Sequence, residues 1–365
     1  MSTHEVYAMP VERETWDVPL AGSARFSWEY GEGRERLLAL YAKGKASQWD
    51  AATRIDWALP VEPGNPLGTG VELLPIYGSK QYEKLNAREV DEMRQHTISW
   101  QFSQFLHGEQ GAAICSARIV ESVPDLDAKF YAATQTIDEA RHAEAYARFL
   151  QEKVQLVYPI NPHLKALLDN TLTDNRWDMP YLGMQVLIEG LALAAFGILR
   201  DVAQAQLPKQ ILAYVMQDEA RHVAFGRLAL RDYYSGLTRH ELDEREEFVV
   251  EACYLMRDRF RAEEVWTNLQ YDVVECLEFV DHSPIMKAFR SHLFSRIVPC
   301  VRDIGLWGPR VQKAYADMGV LDMAGVDLDA LMSDDERIAV EIDEARDLER
   351  RRADVDAVID LGRVR

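Results

Sequence analysis

The pentapeptide Asp-Glu-Ala-Arg-His occurs twice, at 138–142 and at 218–222, an offset of 80 residues. The same offset relates two more acids, because Glu109 stands 30 residues before Glu139 and Glu189 stands 30 before Glu219. On an α-helix, residues three apart share a face, so Glu139 points with His142 and Glu219 with His222. Each Glu-x-x-His pair is a candidate to hold one metal ion. Glu109 is followed by Ala112, Ala113 and Ile114, and Glu189 is flanked by Val186, Leu187, Leu191 and Leu193, which predicts that both acids face an interior. A lone buried carboxylate carries a heavy desolvation cost. Six inward ionisable groups need a common partner, and metal ions are the simplest one. Four carboxylates against two divalent cations leave a neutral cluster. Oxygen and nitrogen donors without thiolate suit iron or manganese, whereas structural zinc sites usually recruit cysteine. The first choice is two iron ions, with manganese or a mixed manganese/iron pair satisfying the same chemistry.

The elements that would position these groups are helices. Asn86 with Glu89 forms a capping-box signal, and Pro124 ends that helix near Val123. A second helix is predicted from about Asp125 until Tyr158 and Pro159 break it. A third starts near Asp178, read as its N-cap, and a fourth takes Pro208 in its first turn and stops at Ser235-Gly236. Four long helices are thus expected within 86–236. Thr238 with Glu241, Ser283 with Pro284, and Ser333 with Glu336 open later helices; the segment 334–352, dense in Asp, Glu and Arg, reads as a solvated helix without chemistry. A helical stretch from about Arg34 to Trp57 precedes the turn-rich loop PVEPGNPLGTG. No period-2 alternation is sustained, so the expected class is all-α. The division expected is an N-terminal extension (1–85), a bundle (86–236) and C-terminal helices packed on it within the same domain (237–365).

Composition narrows the functions. Forty-one Lys and Arg against 60 Asp and Glu give a net charge of −19, which argues against phosphate-backbone binding to nucleic acid. A hydrophobic fraction of 48% in 365 residues is ample for a large core. The N-terminus shows neither a basic region nor an apolar run, so a cytoplasmic location is expected. The apolar segment 183–199 carries Gln185 and Glu189 and is shorter than a bilayer needs, so no membrane span is expected. Cys115, Cys253, Cys276 and Cys300 are far apart, without a C-x-x-C pair, and read as reduced core residues.

With one Glu on each of two helices and a Glu-x-x-His on each of two others, the chain resembles the ferritin-like di-iron carboxylate superfamily over roughly 86–236. The D-E-x-R-H form of both motifs is most similar to hydroxylase subunits of bacterial multicomponent monooxygenases. The resemblance implies a ferritin-like four-helix bundle with ligands Glu109, Glu139, His142, Glu189, Glu219 and His222, and with Glu139 and Glu219 as bridges. It further implies that Asp138, Arg141, Asp218 and Arg221 support them, each Asp accepting from the free imidazole nitrogen of a ligand histidine. The simpler reading of those four is a set of surface ion pairs.

Tyr146 follows His142 by one turn, the spacing at which the ribonucleotide reductase small subunit carries its radical tyrosine; the simpler reading is a core tyrosine with a hydrogen-bonded hydroxyl. That family commonly has Asp where this chain has Glu109, and the repeat places Gly226 opposite Tyr146. Arylamine N-oxygenases usually carry an extra histidine at the position of Val215, which departs from that pattern. Phe102, Phe105, Phe196 and Phe225 are candidates to line an apolar substrate pocket, although an aromatic stripe at this spacing is more often plain core.

The implied activity is O2 activation at a reduced di-iron centre, as an oxygenase or oxidase of a small apolar organic substrate. A tyrosyl-radical-generating subunit and a ferroxidase are the alternatives. Neither a Rossmann glycine fingerprint nor iron-sulfur cysteine spacing is present, so an external ferredoxin- or flavin-type donor is implied. The resemblance also suggests a homodimer.

Overall fold

The computed structural model describes residues 7–9, 17–19, 23–27, 30 and 33–363, with backbone only at 350 and 353–363. Among the described residues there is no strand, only two isolated bridges, Tyr7 with Val157 and Glu62 with Asn65. Helices α1 (Glu35–Ala46) and α2 (Ala51–Arg54) replace the single stretch expected at 34–57, with Asp50 capping the second through Ala52 N–H. The long helix α3 (Ala87–Ser122) starts at the Asn86/Glu89 capping box and ends before Pro124. Helix α4 (Leu126–Arg148) is capped by Asp125 and runs on as a π-helical segment, Phe149–Val154, which Gln155 terminates in the left-handed region at φ 57°. It therefore ends before the Tyr158-Pro159 break.

Helix α5 (Pro162–Thr173), capped by Asn161, escaped the reading of the sequence, although Asn followed by Pro at the first helical position is a start signal. The third expected helix opens at Met179, passes through π-helical turns, Tyr181–Ile188, and continues as α6 (Glu189–Val202). The helix starts directly after Asp178, where it was expected, and the Asp178 carbonyl accepts Leu182 N–H at 3.0 Å, but the side chain is used elsewhere. The buried Asp178 carboxylate takes both guanidinium nitrogens of Arg245 at 3.0 and 3.1 Å and the Tyr234 hydroxyl at 3.1 Å, tying α7 (Gln206–Tyr234) to α8 (Arg239–Arg259). Thr238 and Glu241 form the capping box of α8.

Five short helices follow, of which only α11 was anticipated: α9 (Glu263–Asn268), α10 (Val273–His282), α11 (Pro284–His292), α12 (Ile297–Asp303) and α13 (Pro309–Asp317). The last helix, α14 (Leu328–Arg363), starts earlier than the Ser333 signal. It is not merely solvated. Asp335 is buried against Arg200 and Arg296, and Asp343 accepts from Arg54 and from the Tyr214 hydroxyl, so α14 lies along α7.

Helices α3, α4, α6 and α7 form the central four-helix unit, with the segment 181–202 at its heart. Tyr181–Val202 is long and apolar enough to cross a membrane by composition, but 83% of its 18-residue apolar window is buried within the protein. Its apolar residues are core: Tyr181, Leu182, Met184, Val186, Leu187, Leu191, Leu193 and Phe196 are all within a few per cent of complete burial. The bundle closes on small residues where helices meet. A Cβ on Gly226 would stand 2.6 Å from the Gln185 Cβ, so α7 can approach the π-helical segment only with glycine there.

Candidate metal centre

The four central helices bring all six motif acids and histidines into one buried cluster. Glu139, His142 and His222 are fully buried, and Glu109, Glu189 and Glu219 nearly so. One ligand atom each from Glu109, Glu139, His142 and Glu219 lie within 4.8 Å of one another, and the same holds for Glu139, Glu189, Glu219 and His222. Each group thus has one acid of its own, one histidine and two shared acids. The shared pair is Glu139 and Glu219, the second residues of the two repeats.

Both histidines turn Nδ1 toward the acids. His142 Nδ1 lies 2.9 Å from Glu219 and 3.3 Å from Glu109 and Glu139, and His222 Nδ1 lies 3.1 Å from Glu139 and 3.2 Å from Glu219. The other ring nitrogen faces the aspartate of the opposite repeat: His142 Nε2 is 3.1 Å from Asp218, and His222 Nε2 is 3.2 Å from Asp138. A proton on Nε2 donated to the aspartate leaves the Nδ1 lone pair pointing at the cluster, as a metal ligand requires.

The aspartates are themselves held. Arg141 donates to Asp138 at 2.5 Å and to Asp218 at 2.8 Å, and Arg221 donates to Asp218. These four residues are buried, which removes the surface ion-pair reading. Two residues that sequence reasoning missed complete the network from the segment between α1 and α2. Gln48 donates to Asp138 at 2.7 Å and accepts from Arg141, and Trp49 Nε1 donates to Asp218 at 2.7 Å while its ring stacks on the Arg141 guanidinium. Nothing in their local sequence signals this, since they lie 90 and 169 residues from the aspartates they meet. Gln135 was also missed; fully buried, it donates at 2.9 Å to both Glu139 and Glu189. It stands one turn before Glu139, and the repeat puts apolar Val215 in the equivalent place, so the two halves differ here.

Burial, then the charge on Glu219, pushes Glu109 and Glu189 well above the usual carboxylate range. Burial would depress both imidazoles, but Glu109 with Asp218 for His142, and Glu139 with Glu219 for His222, outweigh it and raise them well above their ordinary value. Burial opposes ionisation of Glu139 as well, and there the two histidines prevail and hold it low. Glu189 Oε2 has no hydrogen-bond partner, and Glu219 Oε1 and Glu139 Oε2 face only the Nδ1 of His142, at 2.9 and 3.3 Å. Buried carboxylate oxygens, clustered at ligand spacing around two imidazole nitrogens, fit a pair of divalent cations.

On the side away from the aspartates, a cavity of about 30 Å³ touches Glu109, Glu189 and Glu219. Phe105 and Phe196 line it, with their ring centroids 4.6 Å apart. Phe225 does not; it packs against Tyr131 and Tyr181 at 4.3 and 5.0 Å, on the other side of the bundle. Phe102 is core among Phe105, Tyr146 and Phe149. The flank after Glu109 is less apolar in its setting than expected, since Ile114 is 44% exposed. Tyr146 is fully buried among Phe102, Phe105 and Phe196, and its hydroxyl has no hydrogen-bond partner. Burial and the nearby Glu109, Glu219 and Glu139 hold its phenol well above the ordinary range. All four cysteines are free and buried.

The fold is an all-helical bundle, and one Glu from each of two helices with a Glu-x-x-His from each of two others is a donor set that could hold two metal ions. No family model matches the chain, and no curated protein matches it. Among solved structures it is similar to variants of an R2-like ligand-binding oxidase with an anaerobically reconstituted Mn/Fe cofactor. Two of these are 17% identical, with TM-scores of 0.48 and 0.47, and each match covers 74% of this chain and 94% of that one.

Proposed function

We propose that the protein is an O2-activating oxidoreductase with a dimetal centre, of iron or manganese, in its bundle core. The observation that carries this reading is that two four-residue ligand groups share Glu139 and Glu219, so the same two carboxylates can bridge a pair of ions. When bound, such a pair supplies the electrons that reduce O2 and the oxidising power applied to a substrate. Glu109 with His142 would hold one ion and Glu189 with His222 the other. Asp218 and Asp138 fix the imidazole tautomers, and Arg141 and Arg221 hold those aspartates in place. The network of Gln48, Trp49, Arg141 and Arg221 closes the histidine side to water, which leaves the cavity beside Phe105 and Phe196 as the side for O2 and an apolar organic substrate. An external ferredoxin- or flavin-type donor would return the electrons.

The test is to load metal-free protein anaerobically with Fe(II) or Mn(II), count the ions retained, and follow O2 consumption after mixing. About two ions per chain and metal-dependent O2 uptake, both lost in Glu139→Ala, are expected. Tight binding of a single zinc ion, with no O2 uptake, would overturn the proposal. One observation supports a second reading, in which Tyr146 forms a radical: its hydroxyl is buried without a hydrogen-bond partner.

A further inference from the structure

Arg259, the last residue of α8, is 5% exposed, yet no described residue gives its side chain a hydrogen bond or an ion pair, and its Nε is buried without a partner. Its guanidinium lies over the Phe260 ring at 4.9 Å. Burial alone pulls it down to about 10, with no carboxylate restoring it. Buried arginines are ordinarily paired, because an uncompensated charge away from water is costly. The rest of the centre offers no surplus anion: four glutamates stand against two divalent cations, and Asp138 and Asp218 against Arg141 and Arg221. Arg259 is the cation left over.

Its position says what would pair with it. Arg259 lines both the cavity of about 30 Å³ that touches Glu109, Glu189 and Glu219 and a separate outer cavity of about 300 Å³. The inner cavity has room for about one water molecule. Besides the acids its wall is largely apolar, including Phe105, Leu164, Met184 and Phe196, and Gly108 has open space where a Cβ would stand. The outer cavity is the more polar of the two, with Asn161, His163, Glu263 and Thr267 in its wall. Among its other charged residues, Arg261 pairs with Asp281 and Asp258 with Arg257, while Glu264 accepts from the Asn161 amide and neither it nor Glu263 forms an ion pair with Arg259. Polarity therefore changes from outside to inside, with one unpaired guanidinium at the boundary.

We propose that Arg259 anchors the carboxylate of an organic-acid substrate that comes in through the outer cavity, with the apolar part of the molecule directed inward past Phe105 and Phe196. This deepens the proposed function and rests on it, since the acid's partner is the charge left after the metal ions are counted. A planar guanidinium accepts a carboxylate through two parallel hydrogen bonds, which fixes the orientation of the molecule as well as its charge. Space for the apolar part comes from side-chain movement around Gly108, because the inner cavity is small in this conformation.

The experiment uses cyclohexanecarboxylate as probe and its uncharged amide as control. Binding to the metal-containing protein is followed by calorimetry and by thermal melting, with metal content measured in the same samples. The acid is expected to bind at least tenfold more tightly than the amide and to raise the melting temperature. In Arg259→Leu the acid should lose at least tenfold in affinity and the melting shift should vanish, with the metal content unchanged. Arg259→Lys, which retains the charge but not the planar fork, should fall between the two and supports the same comparison if the leucine variant does not fold. Equal binding of acid and amide, or acid binding undiminished in both variants, would overturn the anchor. Metal content decides the dimetal reading separately: protein without bound metal would refute that reading, while the acid and amide comparison still decides the role of Arg259.

Discussion

Asp218, on α7, places its Oδ2 3.1 Å from Nε2 of His142, on α4. The reciprocal pair, Asp138 on α4 and His222 on α7, is separated by 3.2 Å. Each repeat therefore orients the histidine of the other, and the two motif helices are cross-linked through both. Asp138→Asn and Asp218→Asn should each weaken metal binding by roughly 10- to 100-fold while keeping the helical fold, as read by metal titration and circular dichroism. Asp218 also takes Trp49, Arg141 and Arg221, so its variant should be the more damaging of the two. Wild-type metal affinity in both would show that the contacts do not tune the ligands.

Sharing of acids sets a pattern for metal loss. Glu139→Ala and Glu219→Ala remove a carboxylate common to both groups and should lose most of both ions, whereas Glu109→Ala and Glu189→Ala should each retain about one. Elemental analysis of the four variants checks this. Equal losses across the set would contradict the assignment of the shared pair.

Trp49 reaches the centre from outside the bundle. Trp49→Phe deletes its hydrogen bond to Asp218, a bond to a charged acceptor, and weakens the stacking on Arg141; a loss of about 1–2 kcal/mol in urea unfolding is expected. Asp218 retains its other donors, so metal stoichiometry should hold. Unchanged stability would mean that the contact is made equally well by water.

Removal of the Tyr146 hydroxyl takes away no hydrogen bond that the structure makes. Tyr146→Phe should therefore alter stability by less than about 1 kcal/mol and leave metal content intact. If this residue forms a radical, O2 added to reduced wild-type protein yields a tyrosyl electron paramagnetic resonance signal that the variant lacks. Substrate turnover that survives in the variant, without a radical in the wild type, would favour direct oxidation at the metal site.

Gly226 occupies the place that Tyr146 holds in the other repeat. Because a Cβ there would meet Gln185 at 2.6 Å, Gly226→Ala should cost about 1–3 kcal/mol through overpacking. A chemical denaturation midpoint within error of wild type would show that the π-helical segment yields freely.

The helical class, the capping boxes at Asn86 and Thr238, and the convergence of Glu109, Glu139, Glu189, Glu219, His142 and His222 were legible in the sequence, because each rests on local periodicity or on a repeat with a fixed offset. Helical geometry alone puts Glu139 and His142 on one face. Other features were decided only by the fold. The roles of Gln48, Trp49 and Arg259 depend on contacts between segments far apart in the chain, which no local pattern encodes. Phe105 and Phe225 look alike as aromatic residues near ligands, yet one borders the cavity and the other is packed on the far side, since the choice depends on how α3 and α7 rotate against their neighbours. The charged C-terminal segment reads as solvated because its composition is, but burial of Asp335 between Arg200 and Arg296 is set by where α14 docks. Spacing along a helix determines which groups can act together; the packing of helices determines which space they act upon.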